Sequence, residues 1–495
     1  MPYITTKPNR YFSGVSPVRS RSSGILDFSI FFHYNQETMK QKYNLNVLKK
    51  TNVQRAFLTL VIPTVISQLI AVIYNMSDSF WIGQLNNSAQ FAAAFICVPT
   101  FLFLASISNI FGIGGASLIA RCLGKKDFQK ARATCAFCLW TTIFTSLTYG
   151  VLFYIFRHPI LHLIGATDET YRYCEQYAFW TAVVGAVPAA LSGLFGHLIR
   201  AEGYAKQASF GMILGLVLNM ILDPLFIFIF GLEIVGAAIA TVLAMCIGCA
   251  YFVYFILTRP DTSILTLNPK YYQAKNHILP EVLLVGLPST LMTLMALISN
   301  VVANVLTASY STAAIAGMGI AKRIDAVIFA ITNGIGQGAL PLISYNYAAK
   351  NWKRLRSAIK ITFTYSLIVA LMITACLFFS APRIIHVFIQ DSNTIAYGSD
   401  FLKILCLTCP FLSLTLIILT IFQALGLKTQ PIILALVRKG GLDIPLMYFL
   451  NQTIGLMGIA WAFPIEDLLS ALIACLLFLP LWQKSHLLKK KNCHS

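Results

Sequence analysis

Charge is what this sequence has least of. Only 11% of its 495 residues are Asp, Glu, Lys or Arg, and the acids number 18 against 37 Lys and Arg. Soluble domains carry about a quarter charged residues, so this chain cannot clothe an ordinary water-facing surface. The signatures of several chemistries are missing as well. No His-Glu-x-x-His, Gly-x-Ser-x-Gly or Gly-x-Gly-Asp arrangement occurs, which leaves a membrane-embedded enzyme without recognisable machinery. No Gly-Lys-Ser/Thr follows a strand-like run, so nothing cradles a nucleotide phosphate. The first 50 residues are rich in Ser, Arg and Tyr and contain no apolar stretch of signal-peptide type, so they read as a disordered tail.

What is present is apolar. Hydrophobic residues make up 57% of the chain and the mean hydropathy is +0.72. Runs of about 20 residues or more, the length that spans ~30 Å of hydrocarbon, recur between residues 57 and 482. They predict an all-α polytopic membrane protein with helices near 57–82, 91–120, 131–156, 176–199, 207–230, 235–258, 281–307, 313–345, 357–381, 399–425, 430–450 and 456–482.

The net charge of +19 would suggest nucleic acid in a soluble protein, but Lys and Arg alternate from loop to loop. They crowd the N-terminal segment (Lys49, Lys50, Arg55), the second connection (Arg121, Lys125, Lys126, Lys130), the eighth (Lys350, Lys353, Arg354, Arg356) and the tail (Lys484, Lys489), and are absent from 83–90, 231–235, 308–312 and 451–456. The positive-inside rule then places both termini in the cytoplasm, which requires an even number of spans in a cell membrane. Nucleic acid is not an expected partner; the bilayer is. Three Cys-x-x-Cys pairs, Cys135/Cys138, Cys246/Cys249 and Cys406/Cys409, all fall within predicted membrane helices and read as small packing residues rather than zinc or redox sites.

The two halves resemble each other at a spacing of about 225 residues: IPTVISQLIAVIYN (62–75) with LPSTLMTLMALISN (287–300), a Gly-rich helix end running into a basic loop at 112–128 and again at 334–352, and GAAIAT (236–241) with GIAWAF (458–463). Six-helix halves of matching orientation imply parallel repeats about an axis along the membrane normal, a common build of secondary transporters. The chain divides accordingly into a tail (1–50), an N-lobe (51–260), an inter-lobe linker (261–280), a C-lobe (281–482) and a basic tail (483–495).

A carboxylate near the bilayer centre costs about 2.5–3.5 kcal/mol on insertion scales, so each intramembrane acid is a functional candidate. The clearest are Asp78, Asp223, Asp325 and Asp443, whereas Glu202, Glu233, Asp467 and Asp168 fall at predicted helix ends or in loops and read as solvated. Asn219 and Asp223 in LNMILDP (218–224) are four apart and share a helix face. Pro224 follows; it predicts a kink and a carbonyl freed for water or a cation. Asp78 follows Pro63, a second predicted kink, by 15 residues, about four turns. Two acids in one half could share a proton. Aromatics such as Phe57, Tyr74, Trp81, Phe95, Phe179 and Trp180 read mostly as lipid-facing or interfacial, with any that line a cavity suited to flat cations.

AVIYNMSDSFWIGQL, GIGGASLIARCLGKKDFQKA, LSGLFGHLIRAEG, LNMILDPLFIFIFGLEIVGAAIAT, GIGQGALPLISYNYAAKNWKR and FQALG, in this order, resemble the multidrug and toxic compound extrusion (MATE) transporters, most closely their MepA-like bacterial branch. The resemblance implies twelve helices in two pseudo-symmetric lobes and a monomeric antiporter that exports drugs in exchange for H⁺ or Na⁺, with no other cofactor. It places an N-lobe cation site on Asp78, Asn219, Asp223 and Thr241, and a helix bend at Pro63. Branches with a C-lobe cation site carry a Glu in the seventh helix, and LPSTLMTLMALISN contains no acid, which favours N-lobe coupling. A flippase for a lipid-linked or polar metabolite, an activity of the same superfamily, is the alternative.

Overall fold

The computed structural model describes residues 45–85, 87–259, 263–272, 277–389 and 391–491; most of the expected N-terminal tail lies outside them. Twelve helical passes are found among the described residues, one for each predicted run. In the N-terminal half these are α1 (Val53–Gly83), α2 (Ser88–Lys125), α3 (Phe128–Ile155), α4 (Asp168–Val184 and Ala186–Ala201), α5 (Ala205–Ile229) and α6 (Glu233–Leu257). The C-terminal half contributes α7 (Ile278–Ala308), α8 (Thr312–Ala348), α9 (Trp352–Phe388), α10 (Ser392–Leu425), α11 in three pieces (Thr429–Leu436, Val437–Leu442, Asp443–Ile454) and α12 (Leu456–Lys491). Nine of the helices are long and apolar enough to cross a membrane, and the two parts of α4, bent by 51°, form a tenth candidate.

The short polar breaks do more than separate the runs. They supply the side chains that start the next helix: Asn52 accepts from the Gln54 amide, Asn87 from Ala89 and Gln90, Asp127 from Lys130, Ser311 from Ala314, Asn351 from Arg354 and Asp391 from Thr394. Each satisfies a backbone donor that a helix N-terminus leaves open.

Each half builds its own apolar core. In the first, Cys97, Phe153, Tyr177 and Ile227 pack together with Ala237 and Ala238; in the second, Met318, Phe401, Leu405, Met447 and Ile459 do so. The halves meet along α1 with α8 and α2 with α7. Here glycine is obligatory: a Cβ on Gly114 of α2 would lie 2.1 Å from the Val282 carbonyl oxygen of α7, and one on Gly286 of α7 would lie 2.1 Å from the Ile110 oxygen of α2. The α8 glycines Gly334 and Gly338 approach the α1 backbone at Val65 and Val61 in the same way. Small residues thus let the lobes touch backbone to backbone, without bulky interlocking side chains.

Polar cross-links sit toward one end of this seam. Glu281 at the start of α7 faces Lys130 (2.9 Å) and Arg121 (3.5 Å), and the Ser117 hydroxyl of α2 donates to the Gln423 carbonyl of α10 at 2.6 Å. This is the end carrying the basic loops.

Glu202, expected to be solvated, is instead buried just past α4. Its carboxylate accepts from the Ser263 hydroxyl (2.7 Å) and from the amides of Ile264 and Leu265, so the inter-lobe linker is tied down by its backbone. Asp467, also read as solvated, is 3% exposed and pairs with Arg438 at 2.9 Å. In both cases a partner distant in sequence makes burial affordable.

Candidate cation site

The stretch that carries the amide, the acid and the proline ends the regular part of α5. Asn219 and Asp223 both point inward, 2% and 0% exposed, and the Asn219 amide donates to Asp223 Oδ1 at 3.1 Å, as the four-residue spacing predicts. The same amide donates to Thr241 Oγ1 of α6 at 3.2 Å. At Pro224 the α-helix gives way to a π-helical turn, Leu225–Ile229, so the regular ladder ends one residue after the acid. Pro63, by contrast, lies inside the single helix Val53–Gly83.

Asp78 comes to this group from α1, which runs along α5, and its charge acts on Asp223. The four residues assigned from sequence therefore converge, although they span more than 160 positions of the chain.

Two residues were not anticipated. Tyr74 of α1 hydrogen-bonds through its hydroxyl to Thr241 and lies within electrostatic reach of both Asp78 and Asp223, and Tyr177 of α4 lies within reach of the same pair. Tyr74 had read as one aromatic among many. Its signal was its position, four residues before Asp78, the same spacing that relates Asn219 to Asp223.

The electrostatics are one-sided. No basic side chain acts on Asp78 or Asp223 among the described residues. Three buried oxygens have no hydrogen-bond partner: Asp78 Oδ1, Asn219 Oδ1 and Asp223 Oδ2. Buried polar atoms without partners are rare and call for an explanation. Carboxylate and amide oxygens that share one apolar site, with no basic side chain acting on the acids, are chemically suited to accept a proton or to wrap a hard, oxygen-preferring cation.

Other candidates do not assemble. Among the described residues no three His, Cys, Asp or Glu side chains are grouped to hold a metal ion. The Cys-x-x-Cys residues are free thiols, and one of each pair bonds a backbone carbonyl, Cys135 that of Thr266, Cys249 that of Pro188 and Cys406 that of Lys403. Asp325 and Asp443 lie in the other lobe, away from this site.

Comparison with known proteins agrees with the repeat. The MatE family model matches twice, over residues 63–225 and 288–449. The Multidrug export protein MepA of Staphylococcus saprophyticus is 28% identical over 88% of this chain and 95% of its own length; that of Staphylococcus aureus is 27% identical over the same shares. A crystal structure of MATE in complex with MaL6 superposes with a TM-score of 0.84 at 23% identity, covering 90% of this chain and 99% of that one. An outward-facing multidrug resistance MATE family transporter gives 0.81 at 24%, covering 90% and 98%. With two copies of its defining unit, one in each six-helix lobe, the chain belongs to the MatE family of multi-pass membrane transporters.

Proposed function

We propose that this protein is a multidrug efflux antiporter that exchanges hydrophobic, often cationic compounds for H⁺ or Na⁺. The reading is carried by one observation: a buried acid-amide-hydroxyl cluster, Asp78, Asn219, Asp223 and Thr241, with three unpartnered oxygens and no base. A buried carboxylate without a counter-charge is costly; a transported cation relieves that cost each time it binds. The names of the relatives, multidrug export proteins, support the cargo class.

Binding at this site would bias the packing of α1 against α5 and α6, the helices that contribute the ligands, with Pro63 and Pro224 as the positions where those helices yield. Because α1 also lies on the inter-lobe seam, a change there reaches the contact with α8 directly. The glycine-mediated seam and the polar links around Glu281 suit two lobes that separate at one end and then at the other. The charge pattern places the basic end and both termini in the cytoplasm, and the protein acts as a monomer.

The test is dye export from proteoliposomes driven separately by a pH gradient and by a sodium gradient. Ethidium movement under one of them identifies the ion. Movement under neither, with correctly folded protein, removes the antiporter reading.

A further inference from the structure

The C-lobe contains a second buried polar cluster, and its composition is the reverse of the first. Lys439 Nζ lies 3.1 Å from Asp443 Oδ2 and 3.1 Å from Glu466 Oε2. Arg438 pairs with Asp467 at 2.9 Å and with Glu466 at 3.6 Å. Asp443 and Glu466 are 0% exposed. Ser299 of α7 donates to Asp443, and Ser470 of α12 to Glu466.

The internal repeat relates this cluster to the N-lobe site. The second family match begins 225 and ends 224 residues after the first, so α7, α11 and α12 correspond to α1, α5 and α6. Over the offsets of 222 to 225 found along the repeat, Asp223 falls opposite a residue between Pro445 and Tyr448, none of which is an acid. Thr241 corresponds in the repeat to Phe463, whose ring is faced by the ammonium groups of Lys322 at 3.2 Å and Lys439 at 5.5 Å. The partner helices match too: α7 supplies Ser299 to Asp443 where α1 supplies Tyr74 to Thr241.

We propose that Lys439 is a tethered cation, built into the C-lobe counterpart of the N-lobe ion site, and that it withdraws this lobe from ion exchange. The inference rests on the N-lobe reading and extends it. An ammonium held between two carboxylates fills the coordination that a free cation or proton would otherwise take, and it cannot leave with the transport cycle. The other charges around it are Lys322 and Asp325 of α8, Arg438 of α11 and Asp467 of α12. Glu466, shared by Lys439 and Arg438, has both oxygens engaged. Asp443 Oδ1 alone lacks a partner, so removing the ammonium leaves an open carboxylate beside it.

The experiment measures binding of radiolabelled sodium, and proton release on ethidium addition, with purified full-length protein. Asp223→Asn is expected to abolish whichever of the two the unsubstituted protein shows. Adding Lys439→Gln in that background is expected to restore one of them by opening the C-lobe site, whereas Lys439→Arg, which keeps the charge, is not. Because breaking a buried pair is strongly destabilising, a second variant, Lys439→Gln with Glu466→Gln in the Asp223→Asn background, keeps the local net charge and still frees Asp443; it is expected to restore binding as well. A folded variant of either kind that binds no more than Asp223→Asn alone overturns the tethered-cation proposal. Ion binding that survives Asp223→Asn alone overturns the N-lobe reading instead.

Discussion

The two lobes share a repeat, a helix order and a seam, yet they solve the problem of buried polarity in opposite ways. In the N-lobe the acids Asp78 and Asp223 meet an amide, a threonine and a tyrosine, and oxygens are left over. In the C-lobe, acids meet Arg438, Lys439 and Lys322, and nearly every polar atom is engaged. Burial alone therefore does not mark a functional acid. A carboxylate with a fixed counter-charge is part of the architecture, and one without it is available to a ligand that comes and goes.

The sharpest way to break this comparison is to neutralise one charged residue in each lobe. Asp223→Asn should abolish ion-driven ethidium efflux while leaving thermal stability unchanged or slightly raised, because it removes a buried charge on which no basic side chain acts. Arg438→Met should behave in the reverse manner. It strands Glu466 and Asp467, at a cost of about 3–5 kcal/mol for a buried pair that loses one member, and shows as poor folding and a lowered melting temperature rather than as altered ion dependence. If both variants lowered stability alike and both retained efflux, the distinction between the lobes would be wrong.

Much of this was legible in the sequence. The apolar runs located all twelve helices, nine of them long and apolar enough to cross a bilayer, which demands about 20 apolar residues regardless of what packs around them. Asn219 and Asp223 were legible as a pair, since their contact is local to one helical turn. Their convergence with Asp78 and Thr241 came only from resemblance, as three helices must pack before these side chains meet. The C-lobe network was largely missed. Glu466 and Asp467 sit about three turns into the long helix Leu456–Lys491, but two charges in an apolar segment do not say that Arg438 and Lys439, 27 to 29 residues away, face them. Glu202 was misread for a related reason: its partners are backbone amides of a linker, which have no signature in side-chain composition.

Glu202 sharpens the comparison from within the N-lobe, where it is a buried acid that does have donors. Burial raises its pKa to about 7, against the opposing pull of the Ser263 hydroxyl, the Ile264 and Leu265 amides and Arg132. A pKa raised in the folded state means the folded protein holds the proton more tightly. The resulting stabilisation is complete below the ordinary glutamate range near 4.5 and is lost as pH rises through 7, amounting to about 3 kcal/mol across that window. Glu202→Gln should flatten this part of the stability profile in thermal unfolding at pH 5 and pH 8, without changing which ion drives efflux. A changed ion preference would place Glu202 in the transport site rather than in the linker clamp.

The smallest expected effect tests the neutral half of the N-lobe site. Thr241 Oγ1 accepts from Asn219 and bonds the Tyr74 hydroxyl, so it ties α6 to both α5 and α1 without carrying charge. Thr241→Val keeps the shape and removes that junction. Asn219 retains its bond to Asp223, and the net loss is that of two neutral hydrogen bonds, about 2 kcal/mol together, which corresponds to roughly thirtyfold weaker ion binding. The half-saturating ion concentration for ethidium efflux should rise by that factor while the maximal rate holds, since the carboxylates that carry the charge remain. A collapse of the maximal rate instead would mean that the α1–α6 link is needed for the lobes to move, and that the neutral residues of this site transmit the signal as well as shape the pocket.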